Sequence, residues 1–286
     1  MPSCGSDLLT MTLPNFPPEW HALGRESQLA ASQIAIGVTA LGRASYADKG
    51  RYAQAFFGLS IGLERMAKLI LIAEHCIQNQ GRFPTDAELR RFGHDIESLL
   101  SHCEPIAQKY RVGKKYADRP DSLIHMGIVD TLSEFAKLSR YYNLDLVAGG
   151  KAAQLPEPIW AWWTRVGVPI LDKHYTAARR KRDYEHATII GAMMGGHAMV
   201  LHHDESGRQI TDMAELSALT GATKIVQKYG QLYSLHLVRW LTYTIFELSH
   251  TGAYRDRIVA LLGLYEPFGQ FMNDDAYLRG RRRWTS

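Results

Sequence analysis

Gly58-Leu59-Ser60-Ile61-Gly62-Leu63-Glu64-Arg65-Met66-Ala67-Lys68-Leu69 sits inside a longer run, Gly50 to Asn79, whose reading decides the fold. Its apolar residues Phe56, Leu59, Leu63, Met66, Ile70, Ala73 and Ile77 recur at alternating spacings of three and four, the seam of an antiparallel helical bundle. Glu64 and Lys68 stand one turn apart on the outer surface, where they read as an ordinary i,i+4 ion pair. The same run is the longest apolar stretch, but Glu64, Arg65, Lys68 and Glu74 interrupt it. Charges in the middle of a spanning helix are costly, so it reads as a buried helix and no membrane is expected.

Working outward, the stretch before it, Ser27 to about Ser45, places Ala30, Ile34, Val38 and Leu41 on one stripe. Its small residues Ala31, Gly37, Ala40 and Gly42 would let a neighbouring backbone come close. Pro14, Pro17 and Pro18 make residues 1–24 an extended lead-in. After Gly81 and Pro84 break the chain, Thr85-Asp86-Ala87-Glu88 has the pattern of a capping box. The third helix it opens carries Leu89, Phe92, Ile96, Leu99, Cys103 and Ile106 on its seam, with His94 well away from that stripe. Polar residues 111–120 form a loop. A fourth helix presents Ile124, Ile128, Leu132, Phe135, Leu138 and Tyr142 inward, with Arg140, Ser133, Lys137 and Asn143 opposite, until Gly149-Gly150 stops it.

Beyond Pro156 and Pro158 the composition changes. Trp160, Trp162 and Trp163 read as cover for one end of the bundle, with base stacking as the sharper alternative. A helix is expected from Pro169 to His186, a hairpin over Ala198 to Thr211 turning at Asp204-Glu205-Ser206-Gly207, and a short helix at Met213–Leu219. A long helix from Thr223 to His250 and a last one from Tyr254 to Tyr265 follow, before a mobile basic tail ending Arg279-Gly280-Arg281-Arg282-Arg283-Trp284. The expectation is thus all-α: an up-and-down four-helix bundle over 25–150, then a mostly helical region over 151–286 with one small β-hairpin near 198–211.

The totals narrow the chemistry only a little. The chain has 286 residues, 46% of them hydrophobic and 22% charged, within the range of globular proteins. A net charge of +4 permits a nucleic-acid partner without requiring one. Cys4, Cys76 and Cys103 lack metal-ligand spacing, and an odd count without a framework fits a reducing cytoplasm. The N-terminus has no basic region followed by an apolar core, so a secretory signal is not expected. His197, His202, His203, Asp204 and Glu205 are metal-ligand types, but adjacent histidines on a strand point to opposite faces, and a polar hairpin explains them better. No metal or cofactor is therefore expected. Phosphate-binding glycine loops and nucleophile elbows are absent from the sequence. His236 and His250, on a largely apolar helix, read as packed side chains.

Three blocks resemble the HEPN superfamily ("higher eukaryotes and prokaryotes nucleotide-binding") over residues 51–145: Leu63 to Leu69, then Gly93-His94-Asp95-Ile96-Glu97-Ser98-Leu99-Leu100, then Arg140-Tyr141. The middle block is similar to the family's His-Asp-x-x-x-Leu-Leu helix, and Arg140-Tyr141 falls where many members carry Arg-Tyr. The resemblance implies an RNA-directed protein, often a metal-independent endoribonuclease of phage-defence or toxin–antitoxin systems acting as a homodimer, or a degenerate relative of one. It implies RNA, a second copy, and an antitoxin or defence-system protein as partners. In such a site Arg140 would hold a phosphate, Tyr141, Asn143 and Asp145 would position it, and His94 would be acid or base. The family's nuclease signature is Arg followed by His after roughly four to six residues. No histidine follows Arg140 in that window, whereas Arg119 and His125 satisfy it and form a reserve pair. The runs Arg179-Arg180-Lys181-Arg182 and Arg281-Arg282-Arg283 would track an RNA backbone, or are simply solvated. The competing expectation is a non-catalytic dimerisation or nucleotide-binding module in which Arg140 and Asp145 pair structurally.

Overall fold

The computed structural model describes residues 16–150, 154–194 and 201–284. Among these the fold is all-α with one two-stranded antiparallel hairpin. Helix α1 (Pro18–Leu41) starts well before Ser27, because Pro18 occupies a first-turn position where its missing N–H costs nothing. Helix α2 (Gly50–Gln78) lies against it along most of its length. The small-residue stripe permits this. A Cβ on Gly37 would fall 2.7 Å from the Leu59 amide nitrogen, and one on Gly58 the same distance from the Gln33 carbonyl oxygen.

The expected third helix is two. Thr85 and Glu88 form the reciprocal cap of α3 (Asp86–Arg91), and Gly93 at φ +67° then turns the chain before α4 (Ile96–Tyr110). His94 consequently lies in a linker. The expected fourth helix begins as α5 (Leu123–Glu134), loosens into a π-helical turn at Phe135–Ser139 and breaks at Tyr141. The short α6 (Tyr142–Ala148) ends on Gly149 at φ +69°.

In the second half, α7 (Pro158–Trp162) runs through another π turn, Trp163–Gly167, into α8 (Val168–His174). A break at Tyr175 separates α8 from α9 (Ala177–Met194), where one helix was expected. Strands β1 (His202–His203) and β2 (Gln209–Ile210) pair His202 with Ile210 and His203 with Gln209; the start of the expected hairpin, 198–200, lies outside the described residues. Asp204 Oδ1 closes the turn by accepting from the Ser206 and Arg208 amides, each at 2.9 Å.

The two helices expected over 213–250 are one. Helix α10 (Met213–His250) is capped by Asp212, whose Oδ1 accepts from the Glu215 amide at 2.8 Å. Its 38 residues extend about 57 Å. It packs on α1, α2, α4, α5, α8 and α9, so a single apolar cluster runs from Leu23 to Trp284. The expected last helix is replaced by a π turn at Thr251–Arg255, 3-10 segments at Val259–Leu261 and Glu266–Met272, and α11 (Asp275–Gly280). Positive φ at Arg257 (+57°) and Gly263 (+72°), then Pro267, prevent a continuous helix there. The tail is not loose. Trp284 is 5% exposed, its amide donates to Thr39 Oγ1 at 2.9 Å, and its ring packs against Phe271. No helix among the described residues is long and apolar enough to cross a membrane.

Candidate nucleic-acid groove

The break at Tyr141 creates a groove. The π turn after α5, the start of α6, the N-terminal turn of α2, segment 155–160 and the hairpin turn enclose a space of about 910 Å³. The hairpin is anchored to α2 at this point. Lys49 Nζ donates to the Asp204 carbonyl at 2.8 Å, and the Tyr52 hydroxyl donates to Glu205 Oε1 at 3.2 Å. Glu205 is buried, and burial pushes its carboxyl above the ordinary carboxylate range.

Arg140 lines this groove with Tyr141 and Asn143. Its Nη2 donates to the Ala136 carbonyl at 3.3 Å, and its guanidinium lies 5.5 Å from the Phe57 ring centroid. Among the described residues no carboxylate lies within ion-pair distance of it, so the cation remains exposed to the groove. Tyr141 (63% exposed) and Trp160 (41% exposed) supply aromatic surface, and Lys49 a second cation. The groove's acid, Glu157, is occupied in capping α7, its Oε2 accepting from the Trp160 amide at 2.8 Å. No protein-family model, curated protein or solved structure matches this chain.

The remaining predicted residues are placed elsewhere. Asp145 is half-buried; its carbonyl accepts from Gly150 N at 2.7 Å, and it does not line the groove. His94 is exposed, with Nδ1 2.9 Å from Glu64 Oε1 and 3.4 Å from Lys68 Nζ. Glu64 is two turns, roughly 10 Å, farther along α2 than the Phe57 that Arg140 covers. Arg140 and His94 therefore look onto one side of α2 without meeting. Arg119 grips the Glu97 carboxylate, with Nη1 3.0 Å from Oε1, and holds that acid below its usual range. His125 turns inward instead. Its Nδ1 lies 2.8 Å from Ser122 Oγ, its Nε2 is 3.2 Å from His236 Nδ1, and burial lowers its pKa to about 3.

The basic runs are largely bound locally. Arg179 and Arg182 face Asp183 at 3.6 and 3.8 Å, and Lys181 faces Glu185 at 3.9 Å. Arg180 donates to the Tyr175 and Leu171 carbonyls. Arg281 donates to the Arg283 carbonyl and lies over the Trp284 ring, while Arg282 and Arg283 are exposed. Of the tryptophans, Trp162 is fully buried in the core, and only Trp160 lines the groove. His202 and His203 are both exposed, and His197 lies outside the described residues. Lys49 had no sequence signal, since it precedes α2 and lines the groove with Arg140 only through the packing of distant segments.

Proposed function

We propose that this chain is an HEPN-like RNA-directed protein that holds single-stranded RNA in the Arg140 groove, as a binding relative of the family's ribonucleases. The carrying observation is an unpaired guanidinium opening beside two exposed aromatic rings, the combination that grips a phosphate and stacks neighbouring bases. Binding is favoured over cleavage because no histidine is among the described residues lining the groove. A cytoplasmic setting and an antitoxin or defence-system partner belong to this reading. Fluorescence anisotropy with a labelled single-stranded RNA tests it. Two cationic contacts predict a log-log salt slope of about −1.4. Loss of the Trp160 ring should weaken binding by about 1–3 kcal/mol, roughly 5- to 150-fold. Cleavage in EDTA leaving 2′,3′-cyclic phosphate ends would return His94 or His125 to a catalytic role.

A second reading, the interaction module, has its own observation. On α6, Leu144, Leu146 and Val147 are 67%, 56% and 89% exposed, a small apolar face beside the groove. A homodimer in sedimentation with no RNA affinity would favour it.

A further inference from the structure

A line of polar side chains lies away from the groove, where α5, α10 and α11 converge. Ser122 is the residue preceding α5, the usual place for a helix-capping hydroxyl, but it caps none of that helix's amides. Its hydroxyl goes to His125 Nδ1 at 2.8 Å. His125 Nε2 faces His236 Nδ1 at 3.2 Å across the α5–α10 interface. His236 Nε2 in turn lies 3.2 Å from Asp275 Oδ1, an ion-pair distance without full hydrogen-bond alignment. Arg239 fixes the same carboxylate oxygen at 2.8 Å and donates to the Asn273 carbonyl. The Tyr233 ring stands edge-on to both imidazoles, at 4.9 and 5.4 Å.

One arrangement of protons along this chain directs every donor toward Asp275. The Asp275 carboxylate draws the His236 proton to Nε2 and leaves Nδ1 bare; His125 Nε2–H donates there, and its own bare Nδ1 accepts the Ser122 O–H. Every donor thus points away from the serine. A structural cap needs no such alignment, and a buried imidazole with a half-buried one behind it is a costly way to hold one hydroxyl.

We propose that Ser122 is a nucleophile toward carboxylic esters, with His125 as its base and His236 and Asp275 as positioning residues that take up the charge. Ser122 Oγ attacks the carbonyl carbon while its proton passes to His125 Nδ1. The bond to the alcohol oxygen breaks, and that proton is returned to the departing alkoxide. Water then attacks the acyl-serine by the same route and releases the acid. While His125 is protonated, its Nε2 proton moves onto His236 Nδ1, so the positive charge rests beside Asp275 and not in the buried ring. The first-turn amides of α5, which the Ser122 side chain does not cap, stand at the serine's end of the helix and would be the donors to the developing oxyanion. Leu123 and Met126, 66% and 49% exposed beside the serine, suit an apolar acyl chain.

Treatment of the full-length protein with a fluorophosphonate probe, followed by peptide mapping, tests this independently of the Arg140 groove. The expected result is one adduct, on Ser122, absent from Ser122→Ala and formed at least tenfold more slowly in His236→Gln and Asp275→Asn. Hydrolysis of p-nitrophenyl butyrate should follow the same order. If His236→Gln unfolds, Asp275→Asn carries the comparison, because that side chain is 54% exposed. A folded wild type that takes no adduct on Ser122 would overturn the proposal, as would adducts on other residues only or a rate unchanged in Asp275→Asn.

Discussion

His125 shows how much a single residue commits the fold to a pH range. Burial lowers its pKa to about 3, with the neighbouring His236 and Lys173 adding to the effect, and His236 is lowered too, chiefly by burial. A histidine whose folded pKa lies below its unfolded value of about 6.5 binds its proton preferentially in the unfolded chain. Its stabilising contribution is complete above about pH 6.5 and is lost as pH falls toward the folded pKa. By pH 5 this amounts to about 2 kcal/mol for His125. The depressed carboxylates Glu97, Asp204 and Asp275 act lower, below their ordinary range, while Glu205, raised by burial, gains stability as pH falls and opposes the histidines in part. Thermal melts at pH 7 and pH 5 should show the lower melting temperature at pH 5. In a folded His125→Gln variant the difference should shrink.

At the scale of elements, the α1–α2 crossing carries the clearest stability prediction. Gly58→Ala would gain up to about 1 kcal/mol in helix propensity, yet its methyl would sit 2.7 Å from the Gln33 carbonyl and 2.8 Å from Gly37 Cα. Backbone atoms cannot move aside, so chemical denaturation should show a net loss of about 2 kcal/mol or more. Gly24→Ala on α1, with open space around its Cβ, should instead gain about 0.5–1 kcal/mol. These helices were legible in the sequence because their signals are local: the three-and-four spacing of Phe56 to Ile77, the small residues of α1, the Thr85–Glu88 box, the stop at Gly149. The failures share a cause as well. Gly93, inside the span expected as one helix, is a left-handed break, and Gly221, in the gap between the two helices expected over 213–250, is a helix interior packed on Asp183. Local composition does not say which of the two a glycine is. The candidate site was legible only where it is continuous in sequence, as in Arg140-Tyr141-Asn143. Lys49 and the pairing of His125 with His236 depend on contacts between distant segments, and no pattern within either segment announces them.

For the whole molecule, the long-range ties matter most. Helix α10 serves as the spine for both halves of the chain, and the C-terminus is sewn to α1 through Thr39 and Trp284. Replacing Trp284 by Ala should cost about 3–5 kcal/mol, measurable as an earlier denaturation midpoint with little change in slope. A free tail would show no such loss. The function proposed for the molecule rests on the groove that this packing assembles. The most direct measurement is the affinity of wild type and a folded Arg140→Ala, Trp160→Ala double variant for one single-stranded RNA, at matched salt, by anisotropy. The wild type should bind with an affinity that weakens with salt, and the double variant should lose at least tenfold. Equal affinities for the two proteins, or no binding by either, would contradict the proposed function.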